Sequence, residues 1–283
     1  MTIGLILRFA SGIVFVPVLI LMARAGGAVW LGFINVLVFL ALNEFYKLMA
    51  AKGVDPSRKL GVTIGLVLVA TTYWFGLGLA TGFFLTATIL TITIRELGRE
   101  QLKFPIYDIS TTIFGVMYVA WLLLHLLLLR ELPLELGLPY EIGGSLALYV
   151  FFMTWACDTG AYLVGRVIGR HKLMPRVSPK KSIEGSVAGF LSSTAAGVIG
   201  PLWFVRDAQG LPLLSTTEAI LLGAAVGILG QVGDLVESLL KRDAQIKDSS
   251  DTIPGHGGIL DRFDSLMFTA PFAYYFLRYV VLR

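Results

Sequence analysis

The sequence predicts an all-α, polytopic integral membrane protein. Only 15% of its 283 residues are charged and 56% are hydrophobic, whereas about 25% of the residues of a soluble domain are charged. About nine apolar stretches approach the ~20 residues that a helix needs to cross the hydrocarbon core. The composition excludes an isolated soluble enzyme and a disordered chain. The single cysteine, Cys157, excludes an intrachain disulfide, and with three scattered histidines it argues against a zinc site.

The apolar stretches follow one another along the chain. They are residues 3–23, 27–46, 60–75, 77–94, 110–129, 143–165, 186–205, 215–240 and 265–282. The first is too long for a cleaved signal peptide, contains Arg8 and is not followed by a clear small-residue cleavage site. The third and fourth are joined by the very short link Gly76-Leu77-Gly78, so this pair is either two spans or one re-entrant hairpin.

The basic residues predict the orientation. Seventeen of the 23 Lys and Arg residues lie in linkers 47–59, 95–105, 166–181 and 241–262. Because positively charged linkers stay in the cytosol, these four are expected on the cytosolic side, with the N-terminus inside and the C-terminus outside. The linker 130–142, from the opposite set, carries three glutamates against Arg130.

A change in composition near residue 142 divides the chain into two predicted regions. Residues 1–142 are expected to form ordinary transmembrane helices joined by short linkers. In residues 143–283, charged residues enter the helices, and the linkers become longer and rich in Gly, Ser, Lys and Asp. We therefore expect a catalytic transmembrane region there, with cytosolic loops 166–185 and 241–264.

Ionisable side chains occur at membrane depth, where each costs at least ~2.5–3.5 kcal/mol. Thr154, Asp158 and Tyr162 are spaced by four and form one polar stripe. A second stripe on a later helix contains Gln231, Asp234, Glu237, Ser238 and Lys241. Because both stripes descend toward the cytosolic side, they favour a shared wet cavity; the alternative is a helix pair joined by buried polar contacts. Glu44 and Glu218 lie near helix ends and are expected to be structural.

The loop 166–185 contains seven potential cations: Arg166, Arg170, His171, Lys172, Arg176, Lys180 and Lys181. One interpretation is a phosphate clamp, with Ser182 and Gly185 at a helix N-terminus that donates N–H groups to an anion. The alternative is the positive-inside signal together with attraction to anionic lipid. The sequence contains neither a P-loop motif nor a Rossmann fingerprint.

The stretch from Ser238 to Asp264 combines groups that suit chemistry on phosphates. Glycines flank His256, which permits close backbone approach and an anion-binding nest. Asp261 and Asp264 supply carboxylate oxygens, which Mg²⁺ prefers. Together these features predict metal-assisted phosphoryl or nucleotidyl transfer. The alternative is that Asp261 and Asp264 cap a helix and pair with Arg262, while His256 forms a loop hydrogen bond.

This stretch resembles the signature of the phosphatidate cytidylyltransferases (CDP-diacylglycerol synthases). The matching positions are Ser238, Leu240, Lys241, Arg242, Lys247, Asp248, Ser250, Ile253, Pro254, His256, Gly257, Gly258, Ile259, Asp261, Arg262, Phe263 and Asp264. The segments Cys157–Tyr162 and Ser178–Gly185 also resemble parts of that family. The similarity thus covers about residues 150–265.

The resemblance implies that CTP and phosphatidic acid react to give CDP-diacylglycerol and pyrophosphate, with Mg²⁺ as cofactor. It also implies a homodimer in the bacterial inner membrane, with its active site on the cytoplasmic face. It places the metal at Asp234 and Asp261; we expect Asp264 to assist and a second cation to be able to share the site.

The expected site residues combine the resemblance with the chemistry of the loops. The catalytic residues are expected to be Asp234, Asp261, Asp264, Lys181 and His256. The substrate-binding residues are expected to be Asp158, Lys180, Lys181, Ser182, Lys241, Arg242, Lys247, Gly257, Gly258 and Arg262. Because the lipid phosphate is already a competent nucleophile, no covalent enzyme intermediate is needed.

Other functions share parts of this pattern. A CTP-dependent lipid or polyprenol kinase, or an archaeal-type synthase acting on an ether lipid, could use the same membrane body and metal site. A CDP-alcohol phosphotransferase is disfavoured because its D-G-x-x-A-R signature is missing. A secondary transporter would place its ionisable residues near the bilayer midplane and often contains inverted repeats, whereas here they gather at one surface.

Overall fold

The computed structural model describes residues 3–100, 103–246 and 258–282, with side chains from residue 14 onward. In these ranges the chain is a helical bundle with a short antiparallel β-hairpin. The helices before the hairpin are α1 (Ile3–Ala25), α2 (Gly27–Ala51), α3 (Arg58–Phe75), α4 (Leu79–Leu97), α5 (Pro105–Gly115), α6 (Leu122–Leu136) and α7 (Ile142–Ile168). The hairpin is β1 (Lys172–Met174) and β2 (Ser178–Ser182), and it is followed by α8 (Ile183–Trp203), α9 (Thr216–Asp243) and α10 (Leu260–Phe276). Two π-helical segments, Val116–Trp121 and Leu277–Val281, continue α5 into α6 and extend α10.

The predicted all-α membrane class is confirmed in its main feature. Six helical segments of the described chain are long and apolar enough to cross a membrane: Gly27–Ala51, Leu79–Leu97, Pro105–Leu136, Ile142–Ile168, Ile183–Trp203 and Thr216–Asp243. The other predicted spans also coincide with helices, but α10 has only 17 residues, and the count of nine crossings stays a prediction. The β-hairpin was not predicted, because its strands are short, contain Pro179 and lack apolar alternation.

The described parts of the four basic linkers lie at the same end of the bundle. Three contacts join them: Lys52 pairs with Asp243, Arg242 donates to the Val177 carbonyl, and Arg99 pairs with Asp55. These contacts agree with the predicted grouping of the linkers, and we call this end the basic end.

The opposite end is organised around Arg130, whose side chain is fully buried. Its Nε donates to the Ala23 carbonyl at 2.5 Å and its Nη2 to the Arg24 carbonyl at 3.1 Å, so that it caps the C-terminus of α1. Its Nη1 donates to the Tyr140 carbonyl at 3.2 Å, and the guanidinium lies 4.1 Å from the centre of the Tyr140 ring. One charged side chain therefore joins α1, α6 and the linker before α7.

Close helix packing brings the polar stripes together. A Cβ atom at Gly233 of α9 would lie 2.6 Å from the backbone oxygen of Asp264 on α10. A Cβ atom at Gly185 of α8 would lie 2.7 Å from the backbone oxygen of Ala161 on α7. Glycine at these two positions lets the helices that carry the candidate site residues come into backbone contact.

Candidate active site

A cavity of about 560 Å³ opens at the basic end, between α7, α8, α9 and the β-hairpin. Its wall consists of Asp158, Ala161, Tyr162, Gly165, Arg166, Leu173, Lys180, Lys181, Ser182, Gly185, Ser186, Gln231 and Asp234. Both predicted polar stripes thus contribute to one cavity. Thr154, the first residue of the α7 stripe, also links α7 to α10, because its hydroxyl lies 3.2 Å from that of Thr269.

An ion pair between the hairpin and α9 lies in this cavity. The ammonium of Lys181, at the end of β2, is 2.6 Å from Oδ2 of Asp234. Both side chains remain partly exposed, at 25% and 36%. The pair therefore places a cation and a carboxylate side by side in the cavity wall, with the Lys181 nitrogen itself buried.

Two further carboxylates belong to the same electrostatic neighbourhood. Asp158 on α7 interacts with the charges of Asp234 and Lys181. Asp264 on α10 is buried and interacts with Asp234, Asp158 and Lys181. Three carboxylates from three helices thus lie near the ammonium of Lys181, and Asp234 is the one that pairs with it directly.

A second polar cluster lies between the end of α9 and the start of α10. The ammonium of Lys241 is 2.5 Å from Glu237 Oε2 and 2.6 Å from Asp261 Oδ1. Asp261 Oδ2 also accepts the Gly258 N–H at 2.8 Å. Ion pairs and a backbone donor thus fix Asp261 at the N-terminus of α10, where a carboxylate is also favoured by the helix dipole.

The hairpin is anchored by the first turn of α8. The Glu184 carboxylate accepts the N–H groups of Arg170 at 3.1 Å and of His171 at 3.2 Å, and its Oε1 lies 2.6 Å from His171 Nδ1. Ser182 caps α8 by accepting the Gly185 N–H at 3.2 Å. These contacts set the position from which Lys180 and Lys181 enter the cavity.

The structure brings together part of the predicted site. Five predicted residues line the cavity: Asp158, Lys180, Lys181, Ser182 and Asp234. Asp264 adjoins it, whereas Lys241, Gly258 and Asp261 form the neighbouring cluster. Arg242 donates to the hairpin at Val177, and Arg262 lies in the first turn of α10 and does not line the cavity. Lys247, His256 and Gly257 lie outside the described residues, and their roles stay predictions.

Arg166 and Ser186 are among the cavity residues that were not identified as site residues from the sequence. Arg166 was counted only among the loop cations; its Nη1 donates to the Tyr162 hydroxyl at 3.0 Å. Ser186 donates to the Gln231 side chain, whose Nε2 donates to the Ser186 carbonyl at 3.1 Å. The available signal was position: Ser186 lies in the first turn of α8, four residues after the cap residue Ser182.

Comparison with known proteins identifies the family. The sequence profile described as the cytidylyltransferase family matches residues 6–280. A phosphatidate cytidylyltransferase of Synechocystis sp. is 34% identical over 95% of each chain, and one of Staphylococcus aureus is 34% identical over 92% of each. The uncharacterized protein YnbB of Escherichia coli is 41% identical over 59% of this chain and 51% of its own. This chain belongs to the cytidylyltransferase family.

Proposed function

We propose that this chain is a phosphatidate cytidylyltransferase, which converts CTP and phosphatidic acid to CDP-diacylglycerol and pyrophosphate. The observation that carries the proposal is the cavity in which Lys180, Lys181, Asp158 and Asp234 meet at the basic end of a membrane bundle. The full-length relatives that bear this enzyme name support it.

The proposed reaction is a direct displacement. An oxygen of the phosphatidate phosphate attacks the α-phosphorus of CTP, and the bond to the departing pyrophosphate breaks. The nucleophile is already an anion, so the main obstacle is to bring two polyanions together and to stabilise the leaving group. Lys180, Lys181 and Arg166 supply positive charge on the cavity wall for this purpose.

We propose that Asp234 and Asp261, assisted by Asp264, hold Mg²⁺. Within the described residues no group of three or more His, Cys, Asp or Glu is arranged to hold a metal ion. The donor chemistry nevertheless fits, because hard carboxylate oxygens suit Mg²⁺ and Asp158, Asp234 and Asp264 lie close enough to influence one another electrostatically. Asp261 precedes Asp264 by three residues and so lies on the same helix face. When bound, the ion would neutralise phosphate charge, and a second cation could share the site.

The lipid substrate is expected to enter beside α7. Tyr162 and Leu163 are exposed next to the cavity residues Asp158 and Arg166, and Val167 is 80% exposed one turn farther on. We propose that the phosphatidate headgroup enters the cavity while its acyl chains remain along this apolar surface. CTP then enters from the water side, past the hairpin.

Membrane location and assembly complete the proposal. We propose an inner-membrane protein of a bacterium with the basic end, and hence the cavity, facing the cytosol; the positive-inside bias supports this. We also propose a homodimer, which crosslinking in membranes would test.

The decisive experiment incubates the purified full-length chain with phosphatidic acid, Mg²⁺ and CTP labelled at either the α- or the γ-phosphate. Cytidylyl transfer places the α label in the lipid extract and the γ label in pyrophosphate. A CTP-dependent kinase would place the γ label in the lipid and release CDP. Lipid that acquires only the γ label, or neither label, would refute the proposed activity.

A further inference from the structure

A second cavity lies at the basic end, apart from the candidate active site. It has a volume of about 570 Å³ and is formed by the loop before α3, the first turn of α3 and the end of α4. It shares no lining residue with the first cavity. Four of its lining residues are cations: Arg58, Lys59, Arg95 and Arg99.

Arg99 has a structural role in this cavity. Its Nε lies 3.1 Å from Glu96, and its Nη1 lies 3.1 Å from Asp108 and 3.3 Å from Asp55. Its side chain is only 13% exposed. Arg99 therefore fixes the loop before α3 against α4 and α5, and the three carboxylates exceed its single positive charge.

Among the described residues, the other three cations of the wall do not contact a carboxylate directly. Arg58 donates from Nε and Nη2 to the neutral amide oxygen of Asn43, at 2.9 and 2.7 Å. Lys59 and Arg95 are exposed. Within the described ranges, none of the three forms an ion pair. The wall contains two carboxylates, Asp55, which pairs with Arg99, and Glu100, against four cations, so its lining residues carry a net formal charge of +2.

The N-terminus of α3 adds to the positive charge at this cavity. The helix begins at Arg58 and has no acidic residue in its first turn, and the Ser57 side chain does not cap it. A helix N-terminus carries about half a positive charge and favours acidic residues. Arg58 and Lys59 instead add two positive charges at that end. This arrangement is unfavourable in the empty protein and favourable when an anion lies there.

The surroundings of the cavity indicate an amphiphilic anion. The last turns of α4 expose Leu90, Ile94 and Leu97, and α4 is one of the candidate membrane spans. At the start of α5, Ile106 and Tyr107 are also exposed. The positive cavity thus opens beside an apolar surface at the end of a span, where lipid headgroups meet lipid chains.

We propose that this second cavity binds the phosphate headgroup of an anionic phospholipid, with the acyl chains along α4. Basic pockets between membrane helices recognise such headgroups. Lys59 and Arg95 approach the phosphate from two helices, and Arg58 adds charge at the helix end. The site holds a lipid of the surrounding membrane and is separate from the site where phosphatidate reacts.

The test is native mass spectrometry of the full-length chain in detergent, titrated with phosphatidylglycerol or phosphatidylcholine. Lys59→Ala combined with Arg95→Ala is expected to weaken phosphatidylglycerol binding by about 25-fold, or about fivefold for each charge removed. The matched control, Lys47→Ala combined with Arg24→Ala, removes two exposed cations that line neither cavity and should bind as the wild type does. Equal binding of the two lipids by the wild type, or an unchanged double variant, would overturn the proposal.

Two further measurements secure the interpretation. The helical circular dichroism signal and the elution volume establish that the variants fold. If the double variant misfolds, Arg95→Gln alone is tested instead and is expected to weaken phosphatidylglycerol binding about fivefold. Unchanged binding by that variant would overturn the proposal. Inorganic phosphate serves as a competitor. If millimolar phosphate displaces the lipid completely, the site recognises a free anion and the lipid assignment is wrong. Retention of the lipid supports it.

Discussion

Replacement of Gly233 by alanine is expected to reduce cytidylyl transfer by about a hundredfold. The added Cβ would lie 2.6 Å from the Asp264 backbone oxygen and 3.1 Å from the Ser265 Cα, so the closer contact is roughly 0.8 Å short of ordinary van der Waals distance. Neither backbone atom can swing aside, so α9 and α10 must separate, at a cost of about 1–3 kcal/mol. This movement also separates Asp234 from Asp264, and a displacement of about 1 Å at reacting groups can cost about 10²-fold in rate.

The matched control is Gly230→Ala, one helical turn earlier on α9. There a Cβ would meet Thr269 at 3.6 Å and Ser265 at 3.8 Å, which are ordinary contacts. Because alanine is favoured over glycine in a helix by about 1 kcal/mol, this variant should keep wild-type turnover and an equal or higher unfolding midpoint. The assays are initial rates of α-label transfer to lipid and thermal unfolding in detergent. If the two variants have equal rates, helix separation does not control the site and the reasoning fails.

Four further predictions concern individual side chains. Asp234→Asn should lower turnover by more than about a hundredfold in Mg²⁺ without changing the unfolding midpoint by more than a few degrees; near-normal Mg²⁺-dependent rates would contradict the metal assignment. Lys181→Ala should raise KM for one of the two anionic substrates by about tenfold, as expected for a lost charge-assisted hydrogen bond, and KM values unchanged from the wild type for both substrates would refute this role. Glu184→Gln should raise KM for CTP more than it lowers kcat, because it loosens the hairpin at His171; a loss confined to kcat would be evidence against this positioning role. Arg130→Met should lower the unfolding midpoint by several degrees, because the buried Ala23 carbonyl loses a charged donor at about 1–3 kcal/mol and the part-buried carbonyls of Arg24 and Tyr140 lose theirs, whereas an unchanged midpoint would show that the cap is dispensable.

Local patterns in the sequence were sufficient to find the polar helix faces. The i, i+4 relation on α7 and the i, i+3 relation on α9 marked Asp158, Gln231 and Asp234, and all three line one cavity. The structural roles expected for two glutamates are also confirmed. Glu218 forms a capping box with Ser215. Glu44 accepts the Leu260 N–H at 2.8 Å.

Contacts distant in sequence could not be predicted in the same way. No periodicity indicates that Lys181 reaches Asp234, because the pair joins the end of a hairpin to the middle of a helix. The hairpin itself gives no strand signal, since Pro179 interrupts β2 and its neighbours are charged. The partner of Glu44 lies 216 residues farther along the chain. Helix faces follow from local spacing, whereas the identity of the pairs across the cavity depends on tertiary packing.

The buried guanidinium of Arg130, at the end of the bundle opposite the basic end, has a consequence for biogenesis. Its acceptors at the end of the first helix, the carbonyls of Ala23 and Arg24, are synthesised more than a hundred residues before it. Until residue 130 emerges and enters the bilayer, those carbonyls must be satisfied by water or by the insertion machinery. Capping of α1 is therefore coupled to insertion of α6. This contact can form before the helices that build the cavity are synthesised.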